Sequence, residues 1–385
     1  MTPNLLLLTD EFPPNIRGGI ASWCRAVSIA LASNGYKIMI FLPVKNRHCE
    51  LNSFHPNVVF NFVKGHDWSK FRWLYMMITV TRWLLFNKNG IILGTTWQHV
   101  SGLVFLKKFW NSKVICFAHG TDITRAVTSN RIKSFRRTLS RIDLFVPVSN
   151  FLYEKVKSSC NFHVNTKILS NGIDCNHFRP IEAKEDFRKE FGLPEEKVIV
   201  LSMGRLVPVK GFDVLIRAVS IVKKTCPEIF VVIVGGKSGH EYERLSQLVL
   251  DLGLGDSIEF IKSVHYEKLP TLYNAVDIFA LSSVPIFKPH YEEENLPMTL
   301  IEASACGLPV IGSQCGGIPE VIADNETGLL FESGDYQSLS NAIIKIMKSS
   351  MLISKFGTNG RKRAVELFDI SRISNSLIEL IEDLS

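Results

Sequence analysis

The stretch KVIVLSMGRLVPVKGFDVLIRAVSIVKKTCPEIFVVIVGG, residues 197–236, decides the fold class. It begins with a short apolar run of the kind that forms a buried parallel strand, and a second such run ends it. Between the two runs, residues 212–225 have the apolar spacing of a helix. A strand, a helix and a second strand in this order form one unit of a parallel sheet that has helices on its faces.

The same alternation continues along the whole chain. Residues 21–35 have a helical pattern, and two further helical stretches, 358–368 and 371–384, follow the last strand. We therefore predict an α/β protein with two doubly wound, Rossmann-like domains that face each other across a cleft. The apolar runs predicted as strands are residues 4–10, 37–43, 90–96, 113–119 and 143–149 in the first half, and residues 197–204, 229–236, 257–263, 277–283, 308–314 and 328–331 in the second.

Two domains also fit the length of the chain, because single hydrophobic cores stop growing at about 250–300 residues. A proline and mixed charges interrupt the alternating pattern at residues 176–186. We predict an N-terminal domain of residues 1–178 and a C-terminal domain of residues 179–368. The last residues, 369–385, are expected to cross back and complete the first domain.

The composition is that of an ordinary globular protein, with 46% hydrophobic and 21% charged residues. The longest apolar run, residues 74–86, contains Arg82 and is shorter than the ~20 residues that a membrane-spanning helix needs. The opening LLLL run is too short for a signal peptide. We therefore expect a cytoplasmic protein, either soluble or peripheral on the cytoplasmic face of a membrane. The eight cysteines lack the spacing of metal ligands, so zinc and disulfides are not expected.

Charge is divided unevenly along the chain. Residues 1–180 hold 23 Lys/Arg and 8 Asp/Glu, a net charge of +15, whereas residues 181–385 hold 21 and 29, a net of −8; together they give the total of +7. This asymmetry suggests that the first half faces an anionic partner, although scattered solvated lysines would give the same count. Nucleic acid is a poor fit, because the second half is acidic and has no nucleic-acid-binding motif.

A basic turn follows the first strand of the second half. In MGRLVPVKG, residues 203–211, Arg205 and Lys210 lie five residues apart in a turn that contains two glycines and a proline. Two cations held together in a cleft repel each other unless an anion neutralises them, and a diphosphate fits that need. The alternative is that both are exposed basic residues on an ordinary loop.

Two carboxylates bracket a turn in EENLPMTLIE, residues 293–302. Glu294 and Glu302 can share a ligand if the first lies in a loop and the second lies one turn into a helix. Each could accept hydrogen bonds from the hydroxyls of a ribose or hexose, while amides of residues 295–299 at the helix N-terminus suit phosphate oxygens. The alternative is an acidic helix cap, which we accept for Glu292 and Glu293.

Three other short motifs follow predicted strands. RGGIASW, residues 17–23, has glycines that let backbone amides approach an anion, although turns use Gly-Gly routinely. AHGTD, residues 118–122, places His119 at a strand end, where a histidine can bind a polar substrate or serve a structural role. CGGIPE, residues 315–320, suits a tight turn near the same cleft or a purely structural one.

Taken in order, these residues resemble the family-4 retaining glycosyltransferases of GT-B fold, which use nucleotide sugars. The resemblance spans nearly the whole chain, and Asn295 and Leu296 depart from it because a glycine and an aromatic residue usually follow the first glutamate. A glycine often found after the third strand of the second domain is also absent from IKSVHY, residues 261–266. The motifs are the first Gly-Gly loop, HGTD (119–122), VSN (148–150), SNGID (170–174), GRLVPVKG (204–211), the E-x7-E element, and GGIPE (316–320) with NETGLLF (325–331).

The resemblance implies a role for each matching residue. Arg205 and Lys210 would bind the donor diphosphate and stabilise the leaving nucleotide, and Glu302 would bind the ribose hydroxyls. Glu294 would contact the donor sugar, and His119 would border that sugar from the other domain. The implied catalytic residues are Glu294, His119, Arg205 and Lys210. Donor binding is also implied for the backbone of Gly18, Gly19, Leu296, Pro297, Met298 and Thr299.

The implied reaction is transfer of a hexose from a UDP- or GDP-sugar to a glycan or lipid-linked acceptor with retention, in surface polysaccharide or lipopolysaccharide synthesis. No metal or other cofactor is expected. Two alternatives stay open: a sugar-nucleotide epimerase-like enzyme, and a non-catalytic sugar-nucleotide-binding subunit. Residues 66–86, 105–113 and 131–141 combine basic with apolar side chains, so they could dock on an anionic membrane, or their apolar residues could simply be core.

Overall fold

A computed structural model of the chain describes residues 4–13, 19–43, 51, 54–63, 70–87, 90–105, 111–127, 131–160, 163–288 and 291–384. The chain divides into two compact units. Unit 1 consists of Met1–Gly172 together with Ile370–Ser385, and unit 2 consists of Ile173–Asp369. The chain therefore passes between the units close to the predicted positions, residues 178 and 368.

Unit 1 contains a six-stranded parallel sheet with the strand order β3-β2-β1-β4-β5-β6. The central strand β1 pairs with β2 and β4, so that Leu5 lies opposite both Ile38 and Ile91. All four residues of β1 are buried, as expected for a strand covered by helices on both faces. The strands are β1 Leu5–Leu8, β2 Ile38–Pro43, β3 Val58–Val63, β4 Ile91–Gly94, β5 Lys113–Ala118 and β6 Leu144–Pro147.

Helices cover this sheet, and the last helix of the chain is one of them. Its residues Ile373, Leu377 and Ile381 are buried in one core cluster with Trp23 and Leu31 of the first helix. The C-terminal residues are therefore part of the core of unit 1. The helices of unit 1 are α1 Gly19–Ser33, α2 Lys70–Phe86, α3 Trp97–Ser101, α4 Thr121–Val127, α5 Ile132–Leu139, α6 Asn150–Ser159 and, at the end of the chain, α15 Ile370–Leu384.

Unit 2 contains a second six-stranded parallel sheet, in the order β12-β11-β10-β7-β8-β9. The strands are β7 Val198–Met203, β8 Ile229–Val234, β9 Ile258–Ile261, β10 Ile278–Leu281, β11 Val310–Ser313 and β12 Gly328–Phe331. The helices are α7 Lys184–Phe191, α8 Phe212–Thr225, α9 His240–Asp251, α10 Leu269–Ala275, α11 Met298–Ala305, α12 Ile318–Val321, α13 Tyr336–Met347 and α14 Ser350–Phe368. Buried aliphatic residues of α8, such as Leu215 and Val219, join the strands in one core.

The two sheets have the same topology. In each sheet, the first three strands follow one another in one direction. The fourth strand then lies on the opposite side of the first strand, and the last two continue outward from it. The order therefore reverses between β1 and β4 in unit 1 and between β7 and β10 in unit 2. Doubly wound sheets bind ligands at the carboxyl ends of the strands that flank this switch point.

The predicted fold class is confirmed, and all eleven predicted strands occur among the described residues. The sequence reading missed β3, Val58–Val63, which lies at the edge of the sheet of unit 1. Val59 on this strand is 56% exposed, and Asn61 interrupts the apolar run. An edge strand needs less apolar surface than a central one, so its sequence signal is weaker.

Candidate active site

The basic turn of unit 2 lies at the carboxyl end of β7. The amide of Gly204 donates to the carbonyl of Val234, and residues 208–210 form one turn of 3₁₀ helix before α8 begins. Gly211 has a φ of 60°, and a β-carbon there would lie 2.0 Å from the carbonyl oxygen of Ser282. Glycine is therefore required at this position, because the turn packs directly on the backbone that follows β10.

Lys210 and Glu294 are in direct contact. Lys210 Nζ lies 2.5 Å from Glu294 Oε2, and the two side chains are only 16% and 13% exposed. The hydroxyl of Ser283, two residues beyond β10, also donates to this carboxylate oxygen at 3.2 Å. The contact spans the switch point between β7 and β10, where a doubly wound sheet binds its ligand.

Arg205 lies at the same strand end but is placed differently. Its side chain is exposed, and within the part of the chain that the structure describes its guanidinium forms no ion pair. The structure therefore brings Lys210 together with Glu294 and leaves Arg205 directed to solvent beside Gly204. A guanidinium in this position can give a bidentate fork to an arriving phosphate.

The Gly-Gly turn after β11 packs on the backbone of Glu294. The amide of Gly317 donates to the Glu294 carbonyl at 2.9 Å. Gly316 has a φ of 57°, and a β-carbon there would lie 1.8 Å from the same carbonyl oxygen. Of the two interpretations left open for CGGIPE, the structure favours the one that brings this turn to the site. Both glycines are needed to fix the position of Glu294.

Glu293 has a role that the sequence reading assigned wrongly. It accepts a hydrogen bond from the amide of Gly316 at 2.8 Å, and the hydroxyl of Tyr291 and the thiol of Cys315 also donate to it. Helix α11 begins only at Met298, so neither Glu293 nor its neighbour Glu292 caps it. Glu293 is a positioning residue, since it ties the loop that carries Glu294 to the Gly-Gly turn.

Amides at the start of α11 point away from the helix. The first acceptor within the helix is the carbonyl of Pro297, which binds the amides of Leu300 and Ile301. The amides of Met298 and Thr299 precede that bond, so they are available to an anion. Pro297 has no amide hydrogen, and its predicted contribution is therefore limited to the shape of the turn. Leu296 is buried, with 8% exposure.

Glu302 lies in α11 and is held by a residue that the sequence reading missed. The hydroxyl of Tyr273 in α10 donates to Glu302 Oε2 at 2.8 Å and also lies 3.2 Å from the carbonyl of Thr299. Burial raises the pKa of Glu302 to about 7, while the Tyr273 hydrogen bond acts in the opposite direction. The carboxyl group therefore changes its protonation state near neutral pH. The sulfur of Met203, the last residue of β7, lies 3.9 Å from the same hydroxyl.

The predicted residues of unit 1 lie at its own strand ends. His119 directly follows β5, and its ring packs on Trp23 with a centroid distance of 4.9 Å. Burial lowers the pKa of His119 to about 4, and the side chain of Asn171 opposes this shift. The ring is thus neutral at neutral pH and can act as a hydrogen-bond partner. Gly19 is the first residue of α1, and Gly18 lies outside the described residues.

Two motifs that carried the resemblance have local structural roles. Ser149 of VSN caps α6, since its side chain accepts a hydrogen bond from the amide of Leu152 at 3.2 Å. Asp174 of SNGID accepts hydrogen bonds from the amides of Asn176 and His177. These two side chains stabilise turns.

Comparison with known proteins gives the family. The family model described as "Glycosyl transferases group 1" matches residues 183–363, and the one described as "Glycosyltransferase Family 4" matches residues 17–177. The chain belongs to glycosyltransferase family 4. The enzyme class predicted from the motifs is thereby confirmed, which argues against a non-catalytic binding subunit.

Two bacterial relatives of this family-4 glycosyltransferase match it over nearly its full length. A GDP-mannose-dependent monoacylated alpha-(1-6)-phosphatidylinositol monomannoside mannosyltransferase of Corynebacterium glutamicum is 27% identical over 92% of both chains. A GDP-mannose-dependent alpha-(1-6)-phosphatidylinositol monomannoside mannosyltransferase of Mycolicibacterium smegmatis is 25% identical over 98% of both chains.

Solved structures confirm the GT-B fold of the glycosyltransferase. Sucrose-phosphate synthase from Thermosynechococcus elongatus superposes with a TM-score of 0.83 at 22% identity and covers 99% of both chains. HepE of Anabaena in complex with UDP gives a TM-score of 0.80 at 19% identity, covering 99% of this chain and 100% of the other. Within the described ranges, no three His, Cys, Asp or Glu side chains lie together as the ligands of a metal ion would. Metal independence stays a prediction.

Proposed function

We propose that this glycosyltransferase moves mannose from GDP-mannose to a lipid-linked acceptor with retention of the anomeric configuration, as a step in the synthesis of a surface glycan. The observation that carries the proposal is the contact of Lys210 with Glu294 across the switch point of unit 2. The names of the two full-length relatives support the choice of GDP-mannose and of a lipid-linked acceptor.

The charges of the site match the reaction. Breaking a glycosyl–phosphate bond builds negative charge on the diphosphate and positive charge on the sugar. Lys210 and Arg205 would stabilise the diphosphate, together with the amides of Met298 and Thr299 at the start of α11. The carboxylate of Glu294 would stabilise the sugar. Because these charges develop only as the bond breaks, each interaction would be stronger in the transition state than with the bound donor, which is the condition for a faster reaction.

The ion pair also explains how these buried charges are tolerated before the donor binds. A lysine and a glutamate that are each less than a fifth exposed would be costly to bury unpaired, and here each neutralises the other. An arriving diphosphate would offer Lys210 a second anionic partner. Glu294 would keep the hydroxyl of Ser283 as a donor at 3.2 Å and could turn its other oxygen to a sugar hydroxyl.

The other predicted site residues would fix the donor's orientation. Glu302, as a carboxylate, would accept hydrogen bonds from the ribose hydroxyls while Tyr273 holds it in place. His119 is neutral, so it would donate a hydrogen bond to a sugar hydroxyl or accept one from it. It would not place a second positive charge near the sugar.

The donor is tested with a panel of GDP-mannose, GDP-fucose, UDP-glucose and UDP-N-acetylglucosamine. We expect GDP-mannose to raise the melting temperature most, because a ligand that binds only the folded state stabilises it by mass action. We also expect slow release of GDP from GDP-mannose without acceptor. A preference for a UDP-sugar would reject the proposed donor, and no nucleotide release from any donor would reject the function.

Two further measurements complete this test. The one-bond coupling constant between C1 and H1 of the transferred mannose distinguishes the two anomers in the product. It therefore reports retention or inversion directly. Turnover in the presence of excess EDTA reports whether a divalent metal is needed, and we expect it to be unchanged.

We further propose that the acceptor is reached by docking on an anionic membrane surface through one face of α2. Buried and exposed apolar residues occur together on this helix: Val80 and Leu84 are core, whereas Leu85 is 57% and Phe86 is 82% exposed. Exposed Ile78 and Arg82 lie on the same side as Leu85, at helical spacing. Within the described ranges no helix is both long and apolar enough to cross a bilayer. Exposed apolar groups beside a cation suit an anionic lipid surface.

Flotation with vesicles of phosphatidylglycerol and phosphatidylcholine tests this docking. We expect the parent to float with the anionic vesicles at low salt, and a Leu85→Glu, Phe86→Glu variant to remain at the bottom. Met351→Glu is the matched control, because Met351 is an apolar residue of unit 2 that is 72% exposed. Equal flotation of parent and double variant would reject the α2 face.

A further inference from the structure

One buried hydroxyl group joins the carboxyl group and the helix turn that were assigned to the nucleotide. Tyr273 lies in α10 and is fully buried. Its hydroxyl donates to Glu302 Oε2 at 2.8 Å and lies 3.2 Å from the carbonyl oxygen of Thr299. Glu302 is the residue proposed for the ribose hydroxyls, and Thr299 belongs to the turn proposed for the phosphates. Tyr273 is not among the residues that the family resemblance implied.

The ring of Tyr273 is enclosed on several sides. It packs on Phe178 and Phe279, with centroid distances of 6.0 and 5.9 Å. The sulfur of Met203, at the end of β7, lies 3.9 Å from its hydroxyl. A close-packed interior leaves such a ring little room to move. The hydroxyl therefore fixes the position of the carboxyl group that it contacts.

The carboxyl group of Glu302 has one oxygen turned to Tyr273 and one that is left for a ligand. Glu302 is partly exposed. Within the part of the chain that the structure describes, Tyr273 is the one donor to its side chain, and the bond is to Oε2. A carboxylate oxygen accepts hydrogen bonds from hydroxyls. With Oε2 held by Tyr273, the other oxygen can meet the hydroxyls of a ribose.

The Tyr273 hydroxyl has one proton and more than one acceptor within reach. When Glu302 is a carboxylate, the hydroxyl donates to its Oε2. When Glu302 is protonated, it can donate to the tyrosine oxygen, and the tyrosine proton can turn to the carbonyl of Thr299. Both arrangements leave these polar groups with partners, as buried groups require. The cluster can therefore exchange one proton with solvent while its side chains stay in place.

The other titratable groups near this cluster keep their charge states. Burial raises the pKa of the thiol of Cys306, which lies one turn after Glu302, so the thiol stays neutral. Arg361 of α14, which acts on Cys306, donates to backbone carbonyls. Burial also raises the pKa of Tyr273, so it keeps its proton. The pKa of Glu302 is raised to about 7 by burial, and the Tyr273 hydrogen bond lowers it.

We propose that Tyr273 is a positioning residue, which holds Glu302 toward the ribose hydroxyls and lets this carboxyl group release its proton to solvent when the nucleotide binds. The ribose hydroxyls donate to the carboxylate, so binding favours the ionised form. The Tyr273 proton then turns from the Thr299 carbonyl back to Glu302 Oε2. The proposal rests on the proposed function, because it assigns Tyr273 to the donor site.

Isothermal titration of the full chain with GDP and with 2′,3′-dideoxy-GDP at pH 8 tests the positioning. In the parent, loss of the two ribose hydroxyls should weaken binding about tenfold or more, since hydrogen bonds to a charged group are lost. In Tyr273→Phe the same loss should weaken binding less than about threefold, because Glu302 is no longer held toward the ribose. A tyrosine with only a structural role would weaken both nucleotides equally. Tyr242→Phe, which changes a tyrosine of α9 in the same unit, should behave as the parent does.

Proton release is measured by repeating the titrations in two buffers of different ionisation enthalpy. The phosphates of dideoxy-GDP titrate as those of GDP do, so the difference between the two nucleotides reports Glu302. We expect about 0.4 proton per bound GDP near pH 7, which corresponds to a fivefold difference in affinity between the two protonation states. Tyr273→Phe removes a hydrogen bond that lowers the pKa of Glu302. The pH of maximal release should therefore rise by about one unit.

A second variant covers the case in which Tyr273→Phe does not fold, which thermal unfolding reports. Glu302→Gln keeps the tyrosine but has no exchangeable proton, so GDP should release no more protons from it than dideoxy-GDP does. The proposal is rejected if the two nucleotides release protons equally from the parent. It is also rejected if Glu302→Gln releases protons as the parent does, or if a folded Tyr273→Phe keeps the parent's pH of maximal release.

Titration with UDP separates this proposal from the proposed function. A parent that binds UDP more tightly than GDP, with the same proton release, would reject the proposed donor and keep the role of Tyr273. A parent that hydrolyses GDP-mannose but does not distinguish GDP from dideoxy-GDP would reject only the role of Tyr273. A parent that binds neither GDP nor UDP would reject both.

Discussion

The sheets of units 1 and 2 have the same strand order, but the side chains across their switch points differ. In unit 2 a lysine and a glutamate lie 2.5 Å apart, and both are less than a fifth exposed. In unit 1 His99, which lies in α3, and Asp10, which follows β1, are 3.4 Å apart, and the aspartate is 35% exposed. The first pair is a buried ion pair with a permanent cation. In the second, the partner of the carboxylate is an imidazole, and the carboxylate is closer to the surface.

This difference shows that one topology can carry different side chains at the same position. In the proposed donor site, the lysine would pair with a phosphate as well as with the glutamate, and Arg205 nearby would add a second cation. The fold provides the position of each site, and the side chains that follow the strands determine its chemistry.

The largest effect is expected from breaking the pair of unit 2. Lys210→Ala should reduce both GDP-mannose hydrolysis and transfer by about 10²–10³-fold, because a charge that stabilises the leaving diphosphate is lost. Initial rates of GDP release measure both. Lys268→Ala is the control, since Lys268 also pairs with a glutamate of unit 2 at 2.5 Å but is 58% exposed. Comparable losses in the two variants would contradict a specific role for Lys210.

The next effect is expected from the turn that fixes Glu294. Gly316→Ala places a β-carbon 1.8 Å from the Glu294 carbonyl oxygen and imposes a φ of 57° on alanine. We expect the free energy of unfolding to fall by about 2–4 kcal/mol, with loss of donor binding. Gly334→Ala isolates the backbone cost, because Gly334 has a φ of 82° and a β-carbon there would meet no described atom within 4 Å. Gly334→Ala should lower the free energy of unfolding by about 1 kcal/mol, as measured by urea unfolding.

A smaller effect is expected when the turn is left intact but its tie to the Glu294 loop is weakened. Glu293→Gln keeps the side-chain shape but removes the negative charge from the group that accepts a hydrogen bond from the amide of Gly316. The dissociation constant of GDP-mannose should rise about tenfold, because a hydrogen bond to a charged acceptor contributes ~1.5–3 kcal/mol. Isothermal titration measures it. Glu292→Gln removes the same charge one residue earlier and should have little effect; the idea fails if both variants weaken binding equally.

The smallest effect concerns pH. The pKa of Glu302 is raised to about 7 in the folded protein, so the protonated form is favoured by folding. Its contribution to stability is present below the unfolded-state pKa of about 4.5 and is lost as pH rises through 7. Ribose hydroxyls bond more strongly to the carboxylate than to the protonated carboxyl group, so GDP-mannose affinity should rise about fivefold between pH 5.5 and 8. In Glu302→Gln the affinity should stay flat; an unchanged pH profile would contradict the assignment.

Much of the fold and part of the site could be predicted from the sequence. Central strands such as β1 and β8 are continuous apolar runs, so their position and parallel pairing follow from local pattern alone. Lys210 and Glu294 could be assigned to one donor site because the motifs that contain them both follow strands, but their direct contact was not predicted. The edge strand β3 was missed, since Val59 is exposed and residues 60–62 are only partly buried.

The supporting contacts could not be predicted, because they join residues that are distant in sequence and lack a motif. Tyr273 reaches Glu302 across 29 residues, and Glu293 reaches Gly316 across 23. Asp10 and His99 meet only because β1 pairs with β4. Such contacts depend on strand order and on side-chain direction, and neither is encoded in a short stretch of sequence.

The two ends of unit 2 meet at one place, since the amide of Ile173 bonds to the carbonyl of Phe368 at 2.9 Å. Topologically, the second half of the chain is an insertion into the first. A protein shortened after Asp369 would therefore lose Leu377 and Ile381 from the core of unit 1 while every strand of unit 2 remained. A truncation or substitution within α15 would therefore destabilise the unit that contains the N-terminal strands and not the one that precedes α15 in the chain.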